Sequence, residues 1–162
     1  VNGWTAAGTA LLLCGVTPAA YGAASGPVGR RVPAQNLATT LLALVFLLLA
    51  QGFRRTAYVD TALVLCVLGP AGTLLYVRLL ADRVAADPPR PRTLRATTGL
   101  NYLAVVAVVV PLCLAAGPGR AALKLLVIGA LLALGSRVAG RALTAVAAEG
   151  GRPAPTEGAS DG

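Results

Sequence analysis

Histidine is absent from this chain, acidic residues number 6, and all charged residues together make up 12% of the 162 positions. Ordinary soluble domains carry roughly a quarter charged residues, so water is a poor candidate for the solvent around this chain. With no His, and with Cys14, Cys66 and Cys113 each inside an apolar segment, the spacing of a metal site or a disulfide framework is missing. The three cysteines read as small apolar fillers. Aromatic residues are only 4%, and the arginines lie between apolar runs instead of along one helix face, so the net charge of +8 does not point to nucleic acid. Nothing implies a cofactor or a soluble catalytic domain.

What the chain does have is apolar surface: 56% hydrophobic residues and a mean hydropathy of +0.74. Leu, Val and Ala fill every face of several segments, which leaves no polar stripe for water and suits a lipid bilayer. Thirteen Arg against one Lys, with abundant Ala and Gly, is also what a GC-rich bacterial genome produces, and it carries no functional reading.

Five stretches approach the roughly 20 residues that cross a bilayer. They fall at about 4–24, 37–53, 57–80, 98–116 and 121–145, predicting an all-α membrane protein built as a bundle of five transmembrane helices. The first stretch competes with a secretory signal peptide, although it has no Lys or Arg ahead of its apolar run. The second, LATTLLALVFLLLAQGF, ends at Arg54 and Arg55, a natural interfacial boundary.

Basic residues then set the orientation, because Lys and Arg favour the cytoplasmic side. Arg30, Arg31, Arg78, Arg83, Arg90, Arg92, Arg95, Arg137, Arg141 and Arg152 share one side, against Arg54, Arg55, Arg120 and Lys124 on the other. This bias places the N-terminus outside and the C-terminus in the cytoplasm. The longest polar stretch, ADRVAADPPRPRTLRATTG, contains Pro88, Pro89 and Pro91, which rule out one continuous helix and mark a boundary between residues 1–86 and 87–149. The tail at 150–162, rich in Gly, Pro and Ser with no apolar run, is expected to be disordered.

Few residues offer chemistry. Asp60 is the one acid in an apolar helix, and an ionised carboxylate at bilayer centre costs about 2.5–3.5 kcal/mol on insertion scales, so it suggests an ion or proton path. Being close to Arg55, it reads equally well as an acid at a helix N-terminus by the outer interface. Asn101 can hydrogen-bond across helices or serve an ion. Lys124, one turn into the last helix, can snorkel to the interface or exchange protons from a buried position. Ala62, Cys66, Gly69, Gly72, Thr73 and Tyr76 recur at three- and four-residue steps as a small-residue stripe for helix packing, while Pro70 and Pro111 predict kinks.

Residues 58–80, YVDTALVLCVLGPAGTLLYVRLL, resemble the last helix of the F subunit of multisubunit Mrp-type monovalent cation/proton antiporters. Residues 26–43, GPVGRRVPAQNLATTLLA, are similar to that subunit's segment between its first two helices, with Gly26, Pro27, Arg31, Val32, Ala34 and Asn36 matching and Arg30 replacing an acid. TLRATTG at 93–99 and ALKLLVIGALLALGSRVAGRAL at 122–143 resemble the last two helices of the G subunit of the same complexes, with Arg95, Gly99 and Arg137 standing where that family has His, Lys and Pro. The resemblance implies an F-like part (residues 26–80, within a three-helix segment 1–86) joined to G-like helices (93–145, within 87–149).

By this resemblance the chain is a non-enzymatic accessory subunit in the bacterial plasma membrane, with other antiporter subunits, lipid, and a monovalent cation such as sodium and protons as its partners. Asp60 and Asn36 then fall on polar positions bordering the cation path, with Lys124 and Asn101 as further candidates. The stripe from Gly69 to Tyr76 becomes the surface that packs on larger subunits. An autonomous oligomeric transporter or pore, and a holin-like structural protein, are the competing readings.

Overall fold

Apolar side chains on all faces force the backbone to satisfy its own hydrogen bonds, and in lipid helices do this segment by segment. A computed structural model describes residues 2–150, with side chains as far as Ala148. Five helices are long and apolar enough to cross a membrane: α1 Gly3–Ala24, α2 Val28–Phe53, α3 Ala57–Leu79, α5 Pro91–Ala116 and α6 Arg120–Gly150. A short helix, α4 Ala81–Ala86, lies between α3 and α5. The expected five-helix, all-α membrane architecture is what the chain adopts. The tail beyond 150, and Arg152 with it, lies outside the described residues.

The second span starts earlier than the sequence suggested, at Val28 and not near 37. Gly26, at φ +106°, turns the chain, Pro27 caps the helix start, and the Arg31 Nε–H donates to the Gly26 carbonyl at 2.8 Å. Pro33 sits inside the helix and is buried, as are Gly29 and Val32. Packing of these residues against the far side of the bundle outweighs the helix-breaking tendency of Gly and Pro. A Cβ on Gly29 would run into the backbone of Asp87, Pro88 and Pro89, so only glycine lets α2 approach that segment.

The fourth span also begins earlier, at Pro91 in place of 98. Pro91 occupies the first turn, where its missing N–H would have had no helical partner. Arg92 and Arg95 therefore ride on α5 and are not loop residues. The expected break survives only at Asp87–Arg90, because Ala81–Ala86 is helical.

Pro18 explains the one irregularity of α1. Its ring has no N–H to give to Cys14, and ahead of it the ladder widens into a π-turn over Leu12–Val16. Thr17 covers the exposed Leu12 carbonyl with both its backbone N–H and its hydroxyl, the latter at 3.1 Å.

At the centre of the bundle is α2. Over half of its most apolar stretch is buried, 56%, while no other span exceeds 28%. Leu37, Leu41, Leu44, Leu47 and Leu48 of α2 pack with Ala62 and Cys66 of α3, Val105, Val109 and Leu112 of α5, and Leu125, Ile128 and Leu132 of α6. A second cluster of Val32, Val77, Val84 and Leu143 ties the Arg-rich ends of α2, α3, α4 and α6 together. Among the described helices α1 packs on α2 alone. Leu68, Leu75, Leu79, Leu103, Leu114 and Leu123 stay exposed, as side chains facing lipid or a partner do.

The small-residue stripe divides. Ala62, Cys66, Gly69 and Thr73 are buried inside this chain, with Gly69 close enough to α2 that a Cβ would stand 3.2 Å from Thr39 Oγ1. Gly72, beside them on the helix, is exposed, with nothing within 4 Å of its Cβ position. Four members of the stripe thus hold α3 to its own neighbours, while Gly72 stays open on the surface. Opposite Pro70, Gly135 of α6 has no room for a Cβ, so the proline ring seats in a glycine notch between α3 and α6.

Candidate functional site

Polar groups inside an apolar bundle gather where they can satisfy one another. Two such places exist here, and each collects two of the four residues singled out in the sequence.

The first lies where α2, α5 and α6 meet. Asn101 is 2% exposed and Ser136 is 5% exposed. The Asn101 amide Nδ2–H donates to Ser136 Oγ, and Asn36 Nδ2 donates to the same oxygen at 3.5 Å. Asn101 Oδ1 is buried with no hydrogen-bond partner. Beside it is a cavity of about 20 Å³ lined by Pro33, Asn36, Thr97, Asn101 and Ser136 among others. That is enough space for a single water-sized group. On the outer flank of α6, Arg137 Nε donates to the Tyr102 hydroxyl at 2.8 Å and its guanidinium lies 5.7 Å from the Tyr102 ring centre. The Tyr102 hydroxyl donates in turn to the Ala133 carbonyl at 3.2 Å, which ties the ring on α5 to α6.

The second place is at the opposite end. Asp60, in the first turn of α3, and Lys124, one turn into α6, both line an open hollow of about 540 Å³, shared with Gln51, Arg54, Arg55 and Arg120. Arg54 takes the left-handed conformation, φ 53°, that ends α2 and turns the chain toward α3. Asp60 is exposed, at the positive end of its helix, where a carboxylate is favoured. Four cations and one carboxylate on the same rim make this an electrostatically mixed mouth.

Gln51 and Asn36 are on the same helix, about 22 Å apart at 1.5 Å per residue. Between them α2 reads LATTLLALVFLLLA, and Leu44, Leu47, Leu112 and Ile128 are fully buried in the interior. Leucine therefore closes the interior of the single chain between its two polar places. Among the described residues no group of three Cys, Asp or Glu gathers as a metal ion would require.

Sequence reasoning missed Ser136, Tyr102 and Arg137 as partners. Ser136 was readable in principle, since Leu132, Ser136, Ala139 and Leu143 repeat on one buried face of α6. That this face meets Asn101 and Asn36 depends on helix order, which spacing does not encode.

Residues 30–86 match the family of multiple resistance and pH regulation protein F (MrpF / PhaF). The matched segment starts at the third residue of α2 and ends with the last residue of α4. Asn36, Asp60 and Pro70 are inside the MrpF-like segment, whereas Asn101, Lys124 and Ser136 are outside it. No curated protein and no solved structure matches the chain. With its five apolar spans and this MrpF-like segment, the chain is a multi-pass protein of the plasma membrane with the features of an ion-transport accessory protein.

Proposed function

We propose that the chain is a non-enzymatic accessory subunit of a multisubunit monovalent cation/proton antiporter, joining an F-like part to two G-like helices, α5 and α6. The observation that carries this reading is the MrpF match over α2 to α4. The packed leucine interior between the two polar places supports it, because a chain with a closed interior serves transport by bordering a path and not by enclosing one. The route then runs between this chain and a larger subunit, with Asp60 and Lys124 at its outer mouth, while Asn36 is held inside the bundle by Ser136. A carboxylate at such a mouth concentrates cations and exchanges them with protons. The Arg-rich end faces the cytoplasm, which sets the N-terminus outside and the C-terminus inside.

With the Gly69 stripe used internally, docking falls to the exposed apolar faces of α1, α3 and α5, including Leu13, Leu68 and Leu103. The test is sodium efflux from vesicles carrying the assembled complex. Deleting the chain abolishes coupled sodium/proton exchange, and Asp60→Asn lowers the rate or moves its pH profile. Full exchange without the chain contradicts the accessory role, and an unchanged profile in Asp60→Asn removes that carboxylate from it.

A further inference from the structure

On the outer flank of α5 and α6, near the Arg-rich end, is an open hollow of about 480 Å³ walled by Arg95, Thr98, Arg137, Arg141 and Thr144. Three guanidinium groups face one space, and the hollow's lining contains no carboxylate. Arg137 is held in place twice, by its hydrogen bond to the Tyr102 hydroxyl and by the Tyr102 ring beneath it. Held this way, it loses little freedom on meeting an anion, and a planar guanidinium fork matches phosphate oxygens.

Depth in the bilayer agrees. Counted from Arg120 at the opposite interface, Arg137 lies about 26 Å and Arg141 about 32 Å along α6, which brackets a hydrocarbon thickness of roughly 30 Å. The guanidinium groups therefore sit at headgroup level. Toward the membrane middle the same two helix faces turn apolar: Val106, one turn beyond Tyr102, is 56% exposed, and Leu134, one turn before Arg137, is 56% exposed. A cationic pocket at the interface, with exposed apolar side chains next to it toward the membrane middle, has the two-part chemistry of a phospholipid.

We propose that this hollow is a binding site for one anionic phospholipid, with its phosphate held by Arg95, Arg137 and Arg141 and its acyl chains lying along Val106 and Leu134. This goes beyond the antiporter reading and does not depend on it. Tyr102 acts as the positioning residue for Arg137.

The experiment is native mass spectrometry of the full chain in neutral detergent, titrated with phosphatidylglycerol, with phosphatidylcholine of the same acyl chains, and with inorganic phosphate. The expected result is one retained phosphatidylglycerol, weak retention of phosphatidylcholine, and no displacement by millimolar phosphate. Arg137→Gln and Arg141→Gln each weaken retention roughly fivefold, as expected for one basic residue at an anionic lipid surface. Tyr102→Phe weakens it less, while Arg120→Gln at the opposite end, which removes the same charge, leaves it unchanged; unaltered circular dichroism of each variant reports that its fold is intact. Equal retention of the two lipids, unchanged retention in the Arg137/Arg141 double variant, or displacement by inorganic phosphate alone overturns the proposal.

Discussion

Replacing Ser136 with alanine removes the one oxygen that accepts the amide protons of both Asn101 and Asn36. The Asn36 bond, at 3.5 Å, is at the limit of hydrogen-bond geometry and contributes little. Asn101 is the residue that suffers: it is 2% exposed and its Oδ1 already lacks a partner, so the substitution leaves its whole side-chain amide buried and unmatched. In soluble proteins an orphaned buried donor costs about 1–3 kcal/mol. Within membranes the unfolded reference also finds partners, and measured side-chain couplings average about 0.6 and reach about 1.7 kcal/mol.

Ser136→Ala should therefore destabilise the bundle by about 0.6–1.7 kcal/mol. Changing both partners reverses much of this loss. Leucine has nearly the shape of asparagine, so Asn101→Leu with Ser136→Ala replaces the polar pair and its unmatched Oδ1 by apolar contact, which is close to neutral. The second substitution should thus rescue the first. Reversible unfolding in mixed detergent micelles, followed by circular dichroism, reads both variants. A double variant that loses as much as or more than Ser136→Ala alone, or a Ser136→Ala loss under about 0.3 kcal/mol, refutes a three-helix polar junction at this place.

Gly29→Ala should lower stability by at least about 1–3 kcal/mol, since the new Cβ meets the backbone at Asp87–Pro89 and not a side chain that can swing away. Gly72→Ala, with nothing within 4 Å, should be neutral or stabilise by up to about 1 kcal/mol through helix propensity; the same micelle unfolding compares the two. Gly135→Ala should loosen α3 from α6 by displacing the Pro70 ring, and a disulfide cross-link engineered between those helices should form more slowly in that variant. Orientation is read with reporters: a C-terminal fluorescent fusion should glow and a C-terminal alkaline phosphatase fusion should be inactive, and the opposite pattern contradicts a cytoplasmic Arg-rich end.

The number and kind of helices were legible because apolar residues on every face have one solution in lipid. Helix ends were less so. Gly29 and Pro33 argue against a helix by propensity, yet the stretch is helical and its Gly29 lies close against Asp87–Pro89, a contact the sequence does not reveal. Pro91 has the same ambiguity: a proline that breaks a helix in sequence is one that starts a helix in the structure. The stripe on α3 was visible, but periodicity does not say whether a face meets its own chain or another: Gly69 and Thr73 are buried while Gly72 is exposed. Of the four polar candidates, the pairing of Asn36 with Asn101 and of Asp60 with Lys124 needed the helix order, since each pair spans more than 60 residues of sequence.

The most direct measurement of the central claim is affinity purification of the tagged chain from native membranes in mild detergent, with mass spectrometry of what stays bound. An accessory antiporter subunit predicts co-purification with large multi-span membrane subunits in fixed ratio. Recovery of the chain alone, or only as a homo-oligomer, contradicts it.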